Sequence, residues 1–151
     1  MKNETAPPPP RILLIENNDS FVYLIRRALD AEGFPYELNT PDDGAKALVF
    51  IRKQGRHARE PRPGVIVMDL HLSKSDGMEI LEEIRGSAAF ADLPAVVLSS
   101  SVSPEEKSKV AAFRGTCFVP KPQDLDEFSK VGKIIRQMAA AGKASGAVAT
   151  S

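Results

Sequence analysis

The stretch Leu13-Leu14-Ile15-Glu16-Asn17-Asn18-Asp19 runs from three aliphatic residues directly into a cluster of acids and amides. This pattern predicts a buried strand that ends at a polar site. Four similar short runs follow along the chain, and most of the five are apolar on both faces, which is typical of a parallel sheet covered by helices on each side. The five runs are Ile12–Ile15, Tyr36–Leu38, Val65–Met68, Ala95–Leu98 and Cys117–Val119.

Capping residues and apolar spacing predict a helix after each of these runs. The helices should begin at Asn18 or Asp19, at Asp43 (running to about Lys53), at Asp76 or Gly77, at Ser103, and at Asp124. The third helix should face the core with Ile80, Leu81 and Ile84. The first helix, which ends near Gly33, has Val22, Ile25 and Leu29 on one face, and the fifth has a stripe that is mostly core, although part of it could be an interface: Leu125, Phe128, Ile135 and Met138. Five strand–helix units predict an α/β fold with a doubly wound, five-stranded parallel sheet.

The composition predicts one domain whose charge acts locally. The chain has 151 residues, 42% of them hydrophobic, and 20 Lys and Arg balance 20 Asp and Glu. This balance argues against general binding to nucleic acid or to anionic membranes. A lone Cys117 and the lack of a long apolar run predict a cytoplasmic protein without disulfides. With so few histidines and cysteines, any metal should be a hard cation on carboxylates.

The two ends of the chain differ in composition from its middle. Residues 1–10 end in four prolines, which favour an extended arm outside the core. Residues 141–151 are small and polar, and we expect them to be disordered unless a partner orders them. We therefore divide the chain into an N-terminal arm (1–10), one domain (11–140) and a C-terminal tail (141–151).

Polar residues follow four of the apolar runs. They lie at the carboxyl ends of the predicted strands, which is where ligands bind in such sheets. Carboxylates hold Mg²⁺, and a cation and a hydroxyl can neutralise and bind phosphate oxygens, so the combination suits phosphoryl chemistry. Asp69 would be the nucleophile, since carboxylates form aspartyl phosphates. Ser99 is preferred to Ser100 and Ser101 because Leu98 closes its apolar run, although a serine there can also simply end a strand. The residues at this edge are Glu16, Asn17, Asp69, Ser99 and Lys121.

With these residues in this order, the chain resembles the receiver domain of two-component response regulators from about Arg11 to Ala140. The family's acidic pair corresponds to Glu16-Asn17, its phosphoacceptor to Asp69, and its following aspartate–glycine to Asp76-Gly77. The switch hydroxyl corresponds to Ser99, and the lysine–proline pair, which has a cis peptide bond in the family, to Lys121-Pro122.

The resemblance implies a flavodoxin-like sheet with strand order 2-1-3-4-5. It also implies that Phe118 is the switch aromatic residue. The metal would be Mg²⁺, held by Glu16, Asn17, Asp69 and the backbone carbonyl of His71.

Three segments are similar to the small single-domain regulators that serve phytochrome-type histidine kinases. They are Asp43–Leu48, the Arg/Pro-rich segment Gln54–Pro63, and Cys117–Leu125. This similarity implies a histidine kinase partner, such as a bacteriophytochrome, and output through protein contact. The two unsupported tails, together with the receiver family's habit of pairing through the fourth and fifth helices, predict a homodimer formed through the fourth helix, fifth strand and fifth helix or through the terminal arms.

Asn17 keeps a second function open, because typical family members have a metal-ligating acid at this position. An amide oxygen can coordinate Mg²⁺ but brings no charge. The alternative is a pseudo-receiver that signals without phosphorylation. An aspartate-nucleophile phosphatase is disfavoured because its second aspartate is replaced by His71, and a flavin carrier is disfavoured because no Ser/Thr/Gly-rich loop follows the first strand. We therefore expect a signalling protein and not an enzyme.

Overall fold

A parallel sheet forms the centre of the molecule. The computed structural model describes residues 9–41, 46–47, 49, 63–72, 75–87, 90–100 and 103–148. Within this part of the chain the sheet has the order β2-β1-β3-β4-β5, with every neighbouring pair parallel. The predicted order 2-1-3-4-5 is therefore confirmed. The strands are β1 (Arg11–Ile15), β2 (Glu37–Asn39), β3 (Val65–Asp69), β4 (Ala95–Ser99) and β5 (Thr116–Pro120).

The described helices begin at the capping residues that the sequence predicts. Asn18 Oδ1 accepts a hydrogen bond from the Phe21 amide at 2.9 Å, and Asp124 Oδ1 accepts one from the Glu127 amide at 2.8 Å. Ser103 likewise caps the helix that starts at Pro104. The predicted helix from Asp43 to Lys53 lies mostly outside the described residues. The four described helices correspond to the predicted first, third, fourth and fifth helices. They are α1 (Asp19–Ala31), α2 (Gly77–Gly86), α3 (Pro104–Ala111) and α4 (Leu125–Val148).

Helices cover both faces of the sheet, which explains why β1, β3 and β4 are buried on both sides. One face packs against α2 and α3, and the other packs against α1 and α4. The predicted inward residues of α2 are buried, as are Ile25 and Leu29 of α1. The close approach of α1 and α4 depends on Gly132, because a Cβ at that position would lie 3.0 Å from Ala28 Cβ.

Leu125 lies outside the core that its predicted stripe mostly forms. Phe128 and Ile135 of the same predicted stripe are buried, but Leu125 is 73% exposed. Leu125 is the first residue of α4. Its side chain lines a surface groove with Leu24 and Arg27 of α1.

The fifth predicted helix is longer than expected. As α4 it continues past Ala140 to Val148, so the prediction of disorder is wrong for the backbone of residues 141–148. The two glycines of this segment, Gly142 and Gly146, have low helix propensity, but extending a formed helix is far less costly than nucleating one. Among the described residues, no helix is both long enough and apolar enough to cross a membrane.

Candidate functional site

Three of the predicted site residues meet at the carboxyl edge of the sheet. Glu16 follows β1, Asp69 ends β3, and Lys121 follows β5. The Lys121 ammonium nitrogen lies 2.6 Å from Asp69 Oδ2 and 3.2 Å from Glu16 Oε2. One oxygen of each carboxylate therefore lies within hydrogen-bonding distance of the same ammonium nitrogen. Parallel strands in the order found bring together residues that are 52 and 105 positions from the lysine in sequence.

Burial makes the ammonium necessary to this cluster. Glu16 and Asp69 are only 3% and 6% exposed, and a buried carboxylate is costly unless it is paired. Burial by itself lowers the pKa of Lys121, but the hydrogen bonds and charges of Asp69 and Glu16 outweigh this effect and raise it. Lys121 therefore stays charged at neutral pH and compensates one of the two negative charges.

Backbone amides hold the other oxygen of each carboxylate. Glu16 Oε1 accepts hydrogen bonds from the amides of Asn17 at 3.0 Å and Asn18 at 3.1 Å. Asp69 Oδ1 accepts one from the His71 amide at 2.8 Å. Both carboxylates are thus fixed in orientation by the chain that follows their own strands.

Close backbone packing shapes the loop after Asp69. The Leu70 amide donates to the Leu98 carbonyl at 2.8 Å, and the Gly77 amide donates to the Leu70 carbonyl at 3.1 Å. A Cβ at position 77 would lie only 2.4 Å from that Leu70 oxygen. Only glycine permits this approach, which accounts for the glycine of the Asp76-Gly77 motif.

The predicted switch residues lie on the two neighbouring strands. Ser99 ends β4 and is 1% exposed, whereas Ser100 is exposed and Ser101 lies outside the described residues. The Ser99 carbonyl accepts the Lys121 amide at 2.8 Å, which ties the end of β4 to the lysine. Phe118 lies in β5, partly buried against the core on the α2 side. Their roles in phosphate binding and switching stay predictions.

The peptide bond between Lys121 and Pro122 differs from the family pattern. No cis peptide bond occurs among the described residues, so the cis bond that the resemblance implies is not found.

Two contacts of the site are not apparent from the sequence. The His71 Nε2 atom lies 3.2 Å from both carboxylate oxygens of Glu106, so its side chain joins the loop after Asp69 to α3. The Phe21 ring centroid lies 4.6 Å from the Lys121 ammonium nitrogen. Phe21 could have been noticed as a helix-face residue, since it precedes Ile25 by four positions. Its nearness to Lys121 had no sequence signal.

The oxygen donors at this edge fit a hard cation. Two buried carboxylates, the Asn17 amide and the His71 carbonyl are of the type that Mg²⁺ prefers. Glu16 Oε1 accepts two backbone hydrogen bonds, whereas Glu16 Oε2 and both Asp69 oxygens accept one each and keep a second lone pair for a cation. Among the described residues, no three Asp, Glu, His or Cys side chains cluster as metal ligands. The prediction that Asn17 stands in place of a third acid stays a prediction. With Lys121 counted, the cluster carries a net charge of about −1, which should bind a cation weakly.

Comparisons with known proteins show which family the chain and its fold resemble. Residues 12–132 match the response regulator receiver domain. The chain is 30% identical over 129 residues to response regulator Rcp1 of Synechocystis sp., covering 85% of this chain and 88% of Rcp1. The structure of the phosphorylated cyanobacterial phytochrome response regulator RcpA is similar, with a TM-score of 0.77 and 31% identity, covering 88% of this chain and 95% of that one. The Mn²⁺-bound form of Rcp1 has a TM-score of 0.74 at 31% identity, covering 84% and 91%.

Proposed function

Because this chain belongs to the response regulator receiver family, we propose that it accepts a phosphoryl group on Asp69 from a histidine kinase. The observation that carries the proposal is the Asp69 carboxylate at the end of β3, which accepts a hydrogen bond from the Lys121 ammonium at 2.6 Å. Members of this family are generally signalling proteins and not enzymes. The kinase we propose is of the phytochrome type, supported by similarity to Rcp1 and RcpA.

The transfer forms a bond between an Asp69 oxygen and phosphorus, and it breaks the bond between phosphorus and the kinase histidine nitrogen. The His71 amide holds one carboxylate oxygen, and the Lys121 ammonium lies beside the other. Lys121 would neutralise a phosphoryl oxygen as the phosphate arrives. Receiver domains generally bind Mg²⁺, which here would be held by Glu16, Asn17, Asp69 and the His71 carbonyl and would neutralise further phosphoryl charge.

We propose that Ser99 and Phe118 carry the signal to a partner surface. Their position supports this role: Ser99 is tied to Lys121 through its carbonyl, and Phe118 lies on the next strand. The output would be protein contact, with a homodimer through α3, β5 and α4 as one such contact.

The alternative is a pseudo-receiver that signals without phosphorylation. Asn17 at the third acidic position is the observation that favours it, because it leaves two carboxylates where typical members have three. Weak cation binding would then make phosphorylation ineffective.

Intact mass after incubation with acetyl phosphate, with and without Mg²⁺, decides between the two. Wild-type protein should gain the mass of one phosphoryl group only with Mg²⁺. Asp69→Asn should gain none, and Asp126→Asn, at an exposed position of α4, should behave as wild type. Equal labelling of Asp69→Asn would remove Asp69 from the acceptor role. A folded wild type that gains nothing from acetyl phosphate or from a cognate kinase would favour the pseudo-receiver.

A further inference from the structure

The Lys121 ammonium has a third partner besides the two carboxylates. Its nitrogen lies 4.6 Å from the centroid of the Phe21 ring, well within the range of a cation–π interaction. Phe21 is only 6% exposed, and the lysine side chain is 23% exposed. Because water is largely excluded from this contact, the attraction between the ring face and the cation is screened less than at an open surface.

The ring is held in place by contacts that do not involve the lysine. The Phe21 amide donates to the capping side chain of Asn18 at 2.9 Å. The ring packs on Phe128 of α4, with centroids 5.2 Å apart and a tilt of 54°. The ring position is therefore set by the start of α1 and its packing on α4, before any ligand arrives.

Phosphoryl transfer and metal binding would change the two carboxylate partners of Lys121 but not the Phe21 ring. When Asp69 accepts a phosphoryl group, one of its oxygens becomes the bridging oxygen of an acyl phosphate, and the charge that Lys121 faces is redistributed. Glu16 would be shared between the ammonium and a divalent cation if one binds. The Phe21 ring takes part in neither change, so it is the one of these three partners whose interaction with the ammonium is constant.

We propose that Phe21 is a positioning residue for Lys121: the face of its ring holds the ammonium at the acceptor carboxylate before and during phosphoryl transfer. The role of Phe21 during phosphoryl transfer rests on the proposed phosphorylation of Asp69. The interaction of its ring with the Lys121 ammonium does not. An aliphatic residue at position 21 would fill the same space but would not attract the cation.

Fluorinated phenylalanines at position 21 test directly whether the ring holds the Lys121 ammonium. Successive fluorines weaken the attraction of the ring for a cation with little change of shape. The signals of the Lys121 side chain, followed by NMR in lysine-labelled, unphosphorylated protein, should move stepwise with mono-, di- and trifluorinated rings. The same series at Phe128, which packs on Phe21, is the matched control and should leave a much smaller effect. Lys121 signals that respond equally to both series, or to neither, would overturn the proposal.

Phosphorylation kinetics test the second part. At saturating Mg²⁺, the rate with acetyl phosphate should fall about three- to tenfold for trifluorinated Phe21 and for Phe21→Leu. The monofluorinated protein should lie between these and wild type, which a purely structural role of the ring would not produce. Unchanged rates in folded variants would overturn the positioning role in transfer. If wild type is not phosphorylated at all, the proposed function fails, and the NMR series still decides whether the ring holds Lys121.

Discussion

Replacing Lys121 by methionine should destabilise the protein at neutral pH and make its stability depend on Mg²⁺. Methionine keeps much of the apolar stem but removes the charge that lies 2.6 Å from Asp69 and 3.2 Å from Glu16. Two buried carboxylates would then lie close together without a cation between them. Their mutual repulsion and their burial would both act against the folded state.

The magnitude follows from the distances and the burial. With an effective dielectric constant of about 20, unit charges about 3 Å apart attract by roughly 5 kcal/mol, and desolvation of the ammonium offsets much of the two interactions. Removing one partner of a buried pair costs about 3–5 kcal/mol. Because Lys121 is 23% exposed, we expect a loss of about 3 kcal/mol in the free energy of unfolding, which lowers the melting temperature by about 10 °C for a domain of this size.

Thermal melting followed by far-ultraviolet circular dichroism, with and without Mg²⁺, is the assay. Mg²⁺ should raise the melting temperature of Lys121→Met more than that of wild type, because the variant site carries about one more negative charge. The matched control is Lys133→Met. Lys133 pairs with Glu32 at 3.5 Å but is 61% exposed, so this change should cost less than about 1 kcal/mol.

The pH dependence gives a second check. The pKa of Lys121 is raised above its ordinary value of 10.5, so the folded state holds this proton more tightly than the unfolded state. Its stabilisation is therefore fully present below pH 10.5 and is lost as the pH rises through the folded pKa. The gap between wild type and Lys121→Met should be constant near neutrality and shrink above that pH. Tyr36, whose pKa is raised to about 12 by burial and by Asp30, is present in both proteins and cancels in the difference.

A melting temperature for Lys121→Met within about 2 °C of wild type, with the same response to Mg²⁺, would refute this reasoning. It would mean that the ammonium does not compensate the buried carboxylates in solution.

Three further predictions concern the packing of Gly77, the charge at position 17 and the oligomeric state. Gly77→Ala should cost about 3 kcal/mol or more in urea unfolding, because its Cβ would overlap the Leu70 carbonyl, whereas Gly86→Ala in the same helix has open space and should not destabilise; equal stability of the two variants would contradict this. Asn17→Asp should tighten Mg²⁺ binding about tenfold and lower the melting temperature without metal, since it adds one negative charge; an unchanged Mg²⁺ titration would show that position 17 does not face the cation. The protein should be a dimer by light scattering at micromolar concentration, and a monomer there would contradict the proposed assembly.

The sequence was sufficient for those features that depend on local patterns. Apolar runs and capping residues predict where the described strands and helices begin, because side-chain period and cap hydrogen bonds involve residues within a few positions of one another. The strand ends at Glu16, Asp69 and Lys121 followed from the same patterns, and the resemblance to receiver domains supplied the strand order.

Only the tertiary structure decided which of these groups touch and what lies around them. Lys121 contacts carboxylates 52 and 105 positions away, and the Phe21 ring lies beside its ammonium. Such contacts depend on how three strands and α1 are placed together, and no local period records that. The same reason applies to the exposed Leu125 at the first position of α4. An apolar spacing predicts a helix face, but which residues of that face are buried is set by packing between helices distant in sequence.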